Sequence, residues 1–384
     1  MTVQLKGITW DHSRGLVPLV ATAQRFWETH GVDITWQKRS LHDFGEYPLQ
    51  KLVDRFDLLI IDHPFVGYAA SHPILEPLDT WLSQAYLHDQ ATNSVGKSHE
   101  SYVYDGHQWA LATDAATPIA SYRPDLLAKY DLELPTTWAD LKALAKTGQV
   151  IVPNTPLDAL MNFSFLCASL EPTYLHQDEF VAQEVGLWAL EELRELIANC
   201  PADCLGRNPI QTYDVLADSD SAVYCPLGYG YSNYGRVGYS KHKLAFSNVV
   251  SVQGQQGRSV LGGTGLAISS FCQHKDIAAQ YLHYVNDAHT QRTLYVENGG
   301  QPGHRSAWTS DYANKLTNTF FQDTLATLDA AFLRPRYDGY LYFQDNVSQY
   351  VHAYINQGGN PKITLETMQT YFAASKQGTD TLEA

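Results

Sequence analysis

The N-terminal segment alternates between buried strands and helices, and this order constrains the fold more than any other feature of the chain. Apolar runs at residues 4–9, 32–36 and 57–62 predict strands, and the last of them is apolar on both faces. Helices are predicted between them, at residues 16–29 and around residues 49–56, and near the C-terminus at residues 311–329 and 344–357. A βαβαβ order implies a parallel sheet covered by helices, in which ligands bind beyond the carboxyl ends of the strands.

Ionisable and aromatic residues directly follow the first and third strands. The candidate ligand-binding residues there are Trp10, Asp11, His12, Asp62 and His63. A tryptophan at this edge could stack on the apolar face of a sugar, and a carboxylate could accept hydroxyl protons. The alternative is structural, with Asp11 or Ser13 capping the next helix and Trp10 packing beneath the loop. For Asp62 the alternative is a helix or turn cap.

Two short extended runs then follow one another without a helix between them. A turn at residues 105–106 precedes a predicted strand at residues 107–113, and a second extended run covers residues 119–122. This order is unusual within one sheet and natural for a chain that crosses from one lobe to another. Asp114 follows the first run, where its side chain could reach a ligand that touches both lobes. The alternative is a hinge turn satisfied by its own backbone.

Length and composition favour a two-lobed binding protein and exclude several other classes. A chain of 384 residues is too long for one ordinary core. Its net charge of −15 argues against nucleic acid or an anionic membrane as a partner, and no apolar run approaches the length of a membrane span. The 24 tyrosines and 8 tryptophans suit a cleft for a polyhydroxylated small molecule, although most of them should fill the core.

Four motifs follow one another in the central part of the chain. They are Y-D-G at 104–106 with I-A-S-Y at 119–122, P-T-T-W-A-D-L at 135–141, G-G-T-G-L-A-I at 262–268, and A-A-Q-Y-L at 278–282 with Gln291 and G-Q-P-G-H-R at 300–305. In this order they resemble the extracellular solute-binding proteins of ABC importers, a family that includes maltose-binding proteins. The resemblance spans residues 104–305, and the N-terminal βαβαβ segment fits the lobe before them.

The resemblance implies an α/β fold of two lobes, each a mostly parallel sheet flanked by helices and joined by extended crossovers. Lobe 1 would comprise residues 1–112 and 260–308, and lobe 2 residues 113–259 and 309–384. A small polar solute, carbohydrate-like or a hydroxy acid, would be held in the cleft between the lobes, and its binding would shift a hinge equilibrium towards closure. The resemblance further implies permease subunits as partners. We expect a monomer with no cofactor and no catalysis.

Further candidate ligand-binding residues follow from this assignment: Tyr224, Tyr229, Gly263, Thr264 and Arg336. The two tyrosines belong to a tyrosine-rich run at residues 224–234, of which one or two rings should line the cleft while the others pack. Gly263 and Thr264 could offer backbone amides at the returning strand. Arg336 lies in a proline-bounded loop, where a surface position is the alternative.

Two other functions stay open because the Asp-His pairs are more ionisable than a typical sugar cleft. Two imidazoles with two carboxylates could bind a divalent ion, and clustered tyrosines could bind ferric iron. A cytosolic enzyme or sensor is the second alternative, although the common nucleophile, phosphate-loop and zinc-protease motifs are absent from the sequence. The N-terminus carries no signal-like apolar segment. We therefore expect a cytoplasmic protein if Met1 is the native start, and a periplasmic or extracellular one if an export signal has been removed.

Overall fold

The computed structural model describes residues 2–46, 49–176 and 178–378. The chain divides into two units, and each is built from two separate segments. Unit 1 contains Met1–Ala116 and Gly262–Leu316, and unit 2 contains Thr117–Leu261 and Thr317–Ala384.

Strands and helices together account for most of the described residues. The strands are β1 (Gln4–Trp10), β2 (Asp33–Arg39), β3 (Leu58–Ile61), β4 (Val103–Tyr104), β5 (His107–Gln108), β6 (Leu111–Ala116), β7 (Pro118–Tyr122), β8 (Tyr224–Tyr229), β9 (Ala245–Ser247) and β10 (Gly262–Ile268). The α-helices are α1 (Ser13–His30), α2 (Leu41–Glu46), α3 (Phe65–Ser71), α4 (Gln84–Thr92), α5 (Ser98–Ser101), α6 (Pro124–Lys129), α7 (Trp138–Ala145), α8 (Pro156–Leu170), α9 (Gln183–Ala198), α10 (Pro209–Asp218), α11 (Lys275–Asn286), α12 (Ala288–Thr290), α13 (Arg305–Trp308), α14 (Asp311–Leu316), α15 (Phe320–Asp329), α16 (Tyr340–Gln357) and α17 (Pro361–Ser375). Short 3₁₀ helices cover Leu49–Lys51, Leu78–Thr80, Ala202–Cys204 and Ser232–Gly235, and a π-helix covers Gln291–Tyr295.

Unit 1 is built around a five-stranded sheet in the order β2-β1-β3-β10-β6. β1 runs parallel to β2 and to β3, as the βαβαβ pattern predicts, and β10 runs antiparallel to both of its neighbours. The carboxyl ends of β1, β3 and β6 and the amino end of β10 therefore lie at the same edge of the sheet. We call this edge, which runs past Trp10, Ile61, Ala116 and Gly262, the strand-end edge of unit 1.

Helix α1 covers the sheet because its apolar residues share one face. Leu19, Ala23 and Phe26 are buried in the unit 1 core, and burying one side chain as large as Phe26 contributes about 2–3 kcal/mol. α11 packs beside α1, where the Thr22 and Tyr281 hydroxyls lie 3.0 Å apart. Gly31 ends α1 in the left-handed conformation, and its N–H donates to a carbonyl of the last turn.

Unit 2 differs from the predicted mostly parallel arrangement. Its three-stranded sheet, in the order β8-β7-β9, is antiparallel at both pairings. A parallel component is seen at an isolated bridge between Val150 and Tyr224. Helices supply most of the core of this unit, because α8 is buried along most of its length and packs against α9 and α16.

Two predicted helices differ from the observed elements. The segment at residues 49–56 is a single 3₁₀ turn followed by turns, although Leu52 and Phe56 still point into the core. The predicted helix at residues 311–329 is two helices, since Asn318 and Thr319 between them have left-handed backbones with φ of 55° and 61°. Among the described residues, no helix combines the length and the apolar character that a membrane span requires.

Candidate functional site

The strand-end edge of unit 1 gathers the residues that the sequence singled out in this unit. Those residues are Trp10, Asp11, His12, Asp62, His63, Asp114, Gly263 and Thr264. They come together because parallel strands end at a common edge, and because Thr264 of β10 pairs with Asp114 of β6 in the antiparallel ladder. The environments of their side chains differ greatly, and these environments decide what each residue can do.

Asp114 forms a buried ion pair with Arg14. The Arg14 Nε donates to Asp114 Oδ2 at 2.8 Å, and Arg14 Nη2 donates to Oδ1. The exposed fractions of the two side chains are only 5% for Arg14 and 0% for Asp114. Burial raises the pKa of the Asp114 carboxyl, and the Arg14 guanidinium and the Gln301 amide oppose that rise. The carboxylate is thus engaged within unit 1, which corresponds to a structural role rather than to the ligand contact that the sequence suggested.

His12 caps α1, a role that the structural alternative considered from the sequence gave to Asp11 or Ser13. Its backbone is extended, and its ring Nδ1 accepts a hydrogen bond from the Arg14 amide at 3.0 Å. Burial and the nearby Arg14 charge lower the pKa of His12 to about 4, although Asp11 opposes this change. The imidazole is therefore neutral at neutral pH, as an acceptor at a helix N-terminus must be.

Trp10 lies within the core of unit 1, with only 3% of its surface exposed. Its ring packs on Phe44 at a centroid distance of 5.5 Å, and a Cβ on Gly15 would come within 2.4 Å of it. This is the packing alternative and not a stacking surface for a sugar. Asp11 is exposed and forms a surface ion pair with Lys38 at 2.8 Å, so its carboxylate is accessible but partly neutralised.

Asp62 and His63 form a turn between β3 and α3. The Asp62 Oδ1 accepts the His63 amide at 2.8 Å and lies 3.2 Å from the His63 ring Nδ1. The His63 ring is fully buried against the edge of Tyr102, with a centroid distance of 6.3 Å. The Asp62 side chain is 19% exposed, so of the two residues only Asp62 presents a polar group at the surface of this edge.

Gly263 and Thr264 lie where β10 starts. Gly263 has φ of +96°, and a Cβ there would come within 2.4 Å of the Asp114 carbonyl oxygen, so the position requires glycine. The ladder is irregular directly after Thr264. The Thr264 hydroxyl is buried and has no hydrogen-bond partner among the described residues. Most buried hydroxyls in protein cores have a hydrogen-bond partner, so a buried hydroxyl without one can mark a binding site.

The predicted residues of unit 2 separate into buried and partly exposed groups. Tyr224 is fully buried on β8; its hydroxyl has no partner within the described part of the chain, and burial raises its pKa. Tyr229, at the end of the same strand, pairs with Pro118 and is partly exposed. Tyr234 of the same tyrosine-rich run is buried and donates to Asp214 at 2.6 Å, which is the expected packing role. Arg336 is partly exposed in the loop that precedes α16.

Sequence reasoning gave little weight to one arginine at the strand-end edge of unit 1 and missed another. Arg14 was not among the expected ligand contacts, and it is buried beside Asp114. Arg39 ends β2 next to Trp10, and its guanidinium donates to the Ile60 carbonyl at 3.3 Å. Burial lowers the pKa of Arg39 to about 10, which leaves it charged at neutral pH. The strand-end argument applied to β2 would have identified Arg39.

A metal ion would need several donor side chains close together. Within the part of the chain that the structure describes, no group of three or more His, Cys, Asp or Glu side chains could hold a metal ion. The five cysteines, all in described segments, are free thiols, including Cys200 and Cys204.

Comparison with solved structures finds close likeness of fold at low sequence identity. MalE3 of T. maritima with bound maltose has a TM-score of 0.83 and 18% identity, covering 97% of this chain and 99% of that one. An ABC transporter solute-binding protein of Agrobacterium radiobacter K84 in complex with ribitol has a TM-score of 0.81 and 17% identity, covering 97% of this chain and 98% of that one. An ABC transporter solute-binding protein of Thermotoga lettingae TMO bound to α-D-tagatose has a TM-score of 0.81 and 17% identity, covering 97% of this chain and 100% of that one.

The sequence comparisons add no closer relative, since no protein-family model and no curated protein matches this chain. The structural likeness extends over nearly the whole length of both chains, and therefore over both units. The chain therefore has the α/β fold of the sugar-binding solute-binding proteins of ABC transporters.

Proposed function

We propose that this chain is the solute-binding protein of an ABC importer and that its ligand is a carbohydrate or a polyol. The observation that carries the proposal is the likeness of fold, over at least 97% of this chain, to proteins solved with maltose, ribitol and α-D-tagatose. These neighbours are binding proteins, which agrees with a role without catalysis. In this role the chain would deliver its solute to the permease subunits of the importer, outside the cytoplasm.

Within unit 1, we propose that the ligand binds at the strand-end edge. The Asp62 carboxylate is partly exposed there and can accept hydroxyl protons in charge-assisted hydrogen bonds. The Thr264 hydroxyl, which lacks a partner among the described residues, can donate to a ligand oxygen, and the Gly263 amide lies beside it. A polyhydroxylated ligand suits this set, because every group in it can form a hydrogen bond with a ligand hydroxyl.

The other side chains of this edge have supporting roles in the proposal. The Arg14–Asp114 pair ties the first turn of α1 to β6, and Trp10 fills the space beneath that turn. His12 holds the start of the same helix. In unit 2, we propose Tyr229 and Arg336 as further ligand contacts, since both are partly exposed.

The test is isothermal titration with maltose, ribitol and α-D-tagatose. We expect saturable binding of at least one of them in the micromolar range, which corresponds to about −8 kcal/mol. Asp62→Asn keeps the acceptor for the His63 amide but removes the charge, so the affinity should fall by about tenfold, or about 1.4 kcal/mol. Asp79→Asn is the matched control, since Asp79 has a similarly exposed carboxylate in unit 1 but is bound to His107. The affinity of this variant for the ligand should equal that of the parent chain.

Two results would contradict the proposal. The first is the absence of saturable heat with these ligands and with a wider set of sugars, polyols and sugar acids. The second is chemical conversion of a bound compound, detected by NMR of the ligand. Such turnover would show that the chain is an enzyme. An affinity unchanged in Asp62→Asn would leave the binding function standing and remove Asp62 from the site.

A further inference from the structure

Unit 1 contains a cavity that plays no part in the proposed function. Its volume is about 550 Å³. It is lined by His30, Trp81, Leu82, Ser83, Asp276, Ala279, Gln280, His283, Tyr284 and Asp287. All of these residues belong to unit 1, and none of them is among the residues of the strand-end edge. The lining combines aromatic rings with polar groups, as ligand sites do.

One wall of the cavity is a single stripe of α11 and the turn after it. Asp276, Gln280 and His283 are spaced by four and three residues, so their side chains succeed one another on one face of the helix. None of the three side chains makes a hydrogen bond or an ion pair within the described residues. The His283 ring is held by stacking on Tyr86 at a centroid distance of 4.0 Å. This stripe therefore presents a carboxylate, an amide and an imidazole with unused hydrogen-bonding capacity.

The lining also contains a tryptophan that is held in place. Trp81 is 38% exposed, which is high for so large an apolar side chain. Its indole N–H lies 3.3 Å from the Glu76 carboxylate, which also pairs with Lys275 at 3.3 Å. The ring is thus oriented before any ligand arrives, and a pre-oriented ring lowers the entropic cost of binding.

We propose that this cavity is a second, weak saccharide-binding site, separate from the strand-end edge. The apolar face of a sugar ring would stack on Trp81, and its hydroxyls would bond to Asp276 and Gln280. The lining contains no lysine or arginine, which argues against a phosphate or carboxylate ligand. Because Trp81, Asp276 and Gln280 are exposed to solvent, we expect binding only in the millimolar range.

The test uses the full chain labelled with 5-fluorotryptophan and followed by ¹⁹F NMR during a titration with maltose. The Trp81 resonance is assigned by its loss in Trp81→Phe. Its chemical shift should change with maltose concentration and reach saturation. The chemical shift of Trp27, which is 51% exposed but lies outside the lining, should not. The double substitution of Asp276→Ala with Gln280→Ala should raise the Kd for maltose that the Trp81 resonance reports at least threefold. Asp62→Asn should leave this Kd unchanged.

Several outcomes would overturn the proposal. Trp81 and Trp27 moving together and linearly with maltose would show a solvent effect only. A Trp81 curve that is the same with and without the double substitution would remove the stripe of α11 from the site. Saturation by a cationic amine such as spermidine, with no response to maltose, would make this a cation site. A circular dichroism melting curve matching that of the parent chain confirms that each surface variant is folded.

Discussion

At the scale of single residues, the strand-end edge of unit 1 shows how burial decides between a binding and a structural role. Asp62 directly follows β3 and Asp114 lies within β6 of the same sheet, yet Asp114 is enclosed with Arg14 while Asp62 is partly exposed. A buried ion pair is held by its geometry as well as its charge, and removal of one partner leaves the other charge unpaired in a medium that solvates it poorly. This asymmetry gives a direct test of the role assigned to the pair.

Asp114→Asn should destabilise the chain by about 3–5 kcal/mol, because the buried Arg14 guanidinium would lose the charge of the Asp114 carboxylate. The measurement is the free energy of unfolding from a urea titration. The control is the double substitution of Arg14→Met with Asp114→Leu, which removes both charges and should cost clearly less than Asp114→Asn alone. A loss below about 1 kcal/mol for Asp114→Asn would show that the carboxylate is not needed by Arg14.

The sequence was sufficient to locate the candidate residues but not to orient their side chains. The position of Trp10, Asp62 and Asp114 at one edge follows from strand order, which hydrophobic pattern predicts. Whether each side chain turns into the core depends on the packing of α1 and of residues 301–303 against β6, which are distant in sequence. For that reason sequence reasoning assigns Trp10 to a ligand and does not recognise the Arg14–Asp114 pair.

At the scale of elements, most helix and strand positions could be read from the chain because their signals are local. The capping box of Thr137 and Asp140 is visible in the sequence and is present in the structure. α17 was missed even though Asn360 caps it and Pro361 opens it, since its apolar face is short and its neighbours α9 and α16 supply the stabilisation. The sequence predicted α1 but placed its start at Leu16 instead of Ser13, and it did not predict the histidine cap.

The His12 cap makes the stability of α1 depend on pH. In the folded chain the pKa of His12 is lowered to about 4 from an ordinary value of 6.5, so the unfolded chain binds a proton more readily. The cap therefore contributes its full stability above pH 6.5 and loses it as the pH falls towards 4. His12→Asn keeps an acceptor at the cap and removes this titration.

The measurement is the free energy of unfolding in urea at pH 7.5 and at pH 5. The parent chain should lose on the order of 1–2 kcal/mol relative to His12→Asn over this interval. His12→Ala serves as the control, because it should be about 1 kcal/mol less stable than the parent at pH 7.5, through loss of the cap, and share the flatter pH response of His12→Asn. Equal pH dependence in all three chains would mean that His12 titrates alike in the folded and unfolded states.

At the scale of the whole molecule, each unit has its own core, and the chain carries a large excess of negative charge. The fold could be predicted because four weak motifs occurred in a particular order, and order along the chain is a property that no single motif has. The ligand could not be predicted, since neighbours of the same fold hold chemically different sugars and polyols at 17–18% identity. The net charge, in contrast, leads to a prediction that needs no ligand.

A net charge of −15 should destabilise the ligand-free chain at low ionic strength through repulsion among its carboxylates. The Debye length falls from about 30 Å at 0.01 M salt to about 3 Å at 1 M, so added salt screens this repulsion. We expect the calorimetric melting temperature to rise by roughly 1–3 °C between 10 mM and 500 mM NaCl. KCl at the same ionic strength should give the same rise, because the effect is one of screening.

The matched variant combines Glu133→Gln, Glu191→Gln and Glu366→Gln. All three glutamates are exposed and form no ion pair within the described residues, so the substitutions change the net charge from −15 to −12 without removing a contact. This variant should melt higher than the parent at 10 mM NaCl and gain less from added salt, because less repulsion remains to be screened. A melting temperature that falls with NaCl in the parent would show the opposite balance, with attractive surface pairs such as Arg25–Glu28 outweighing the repulsion.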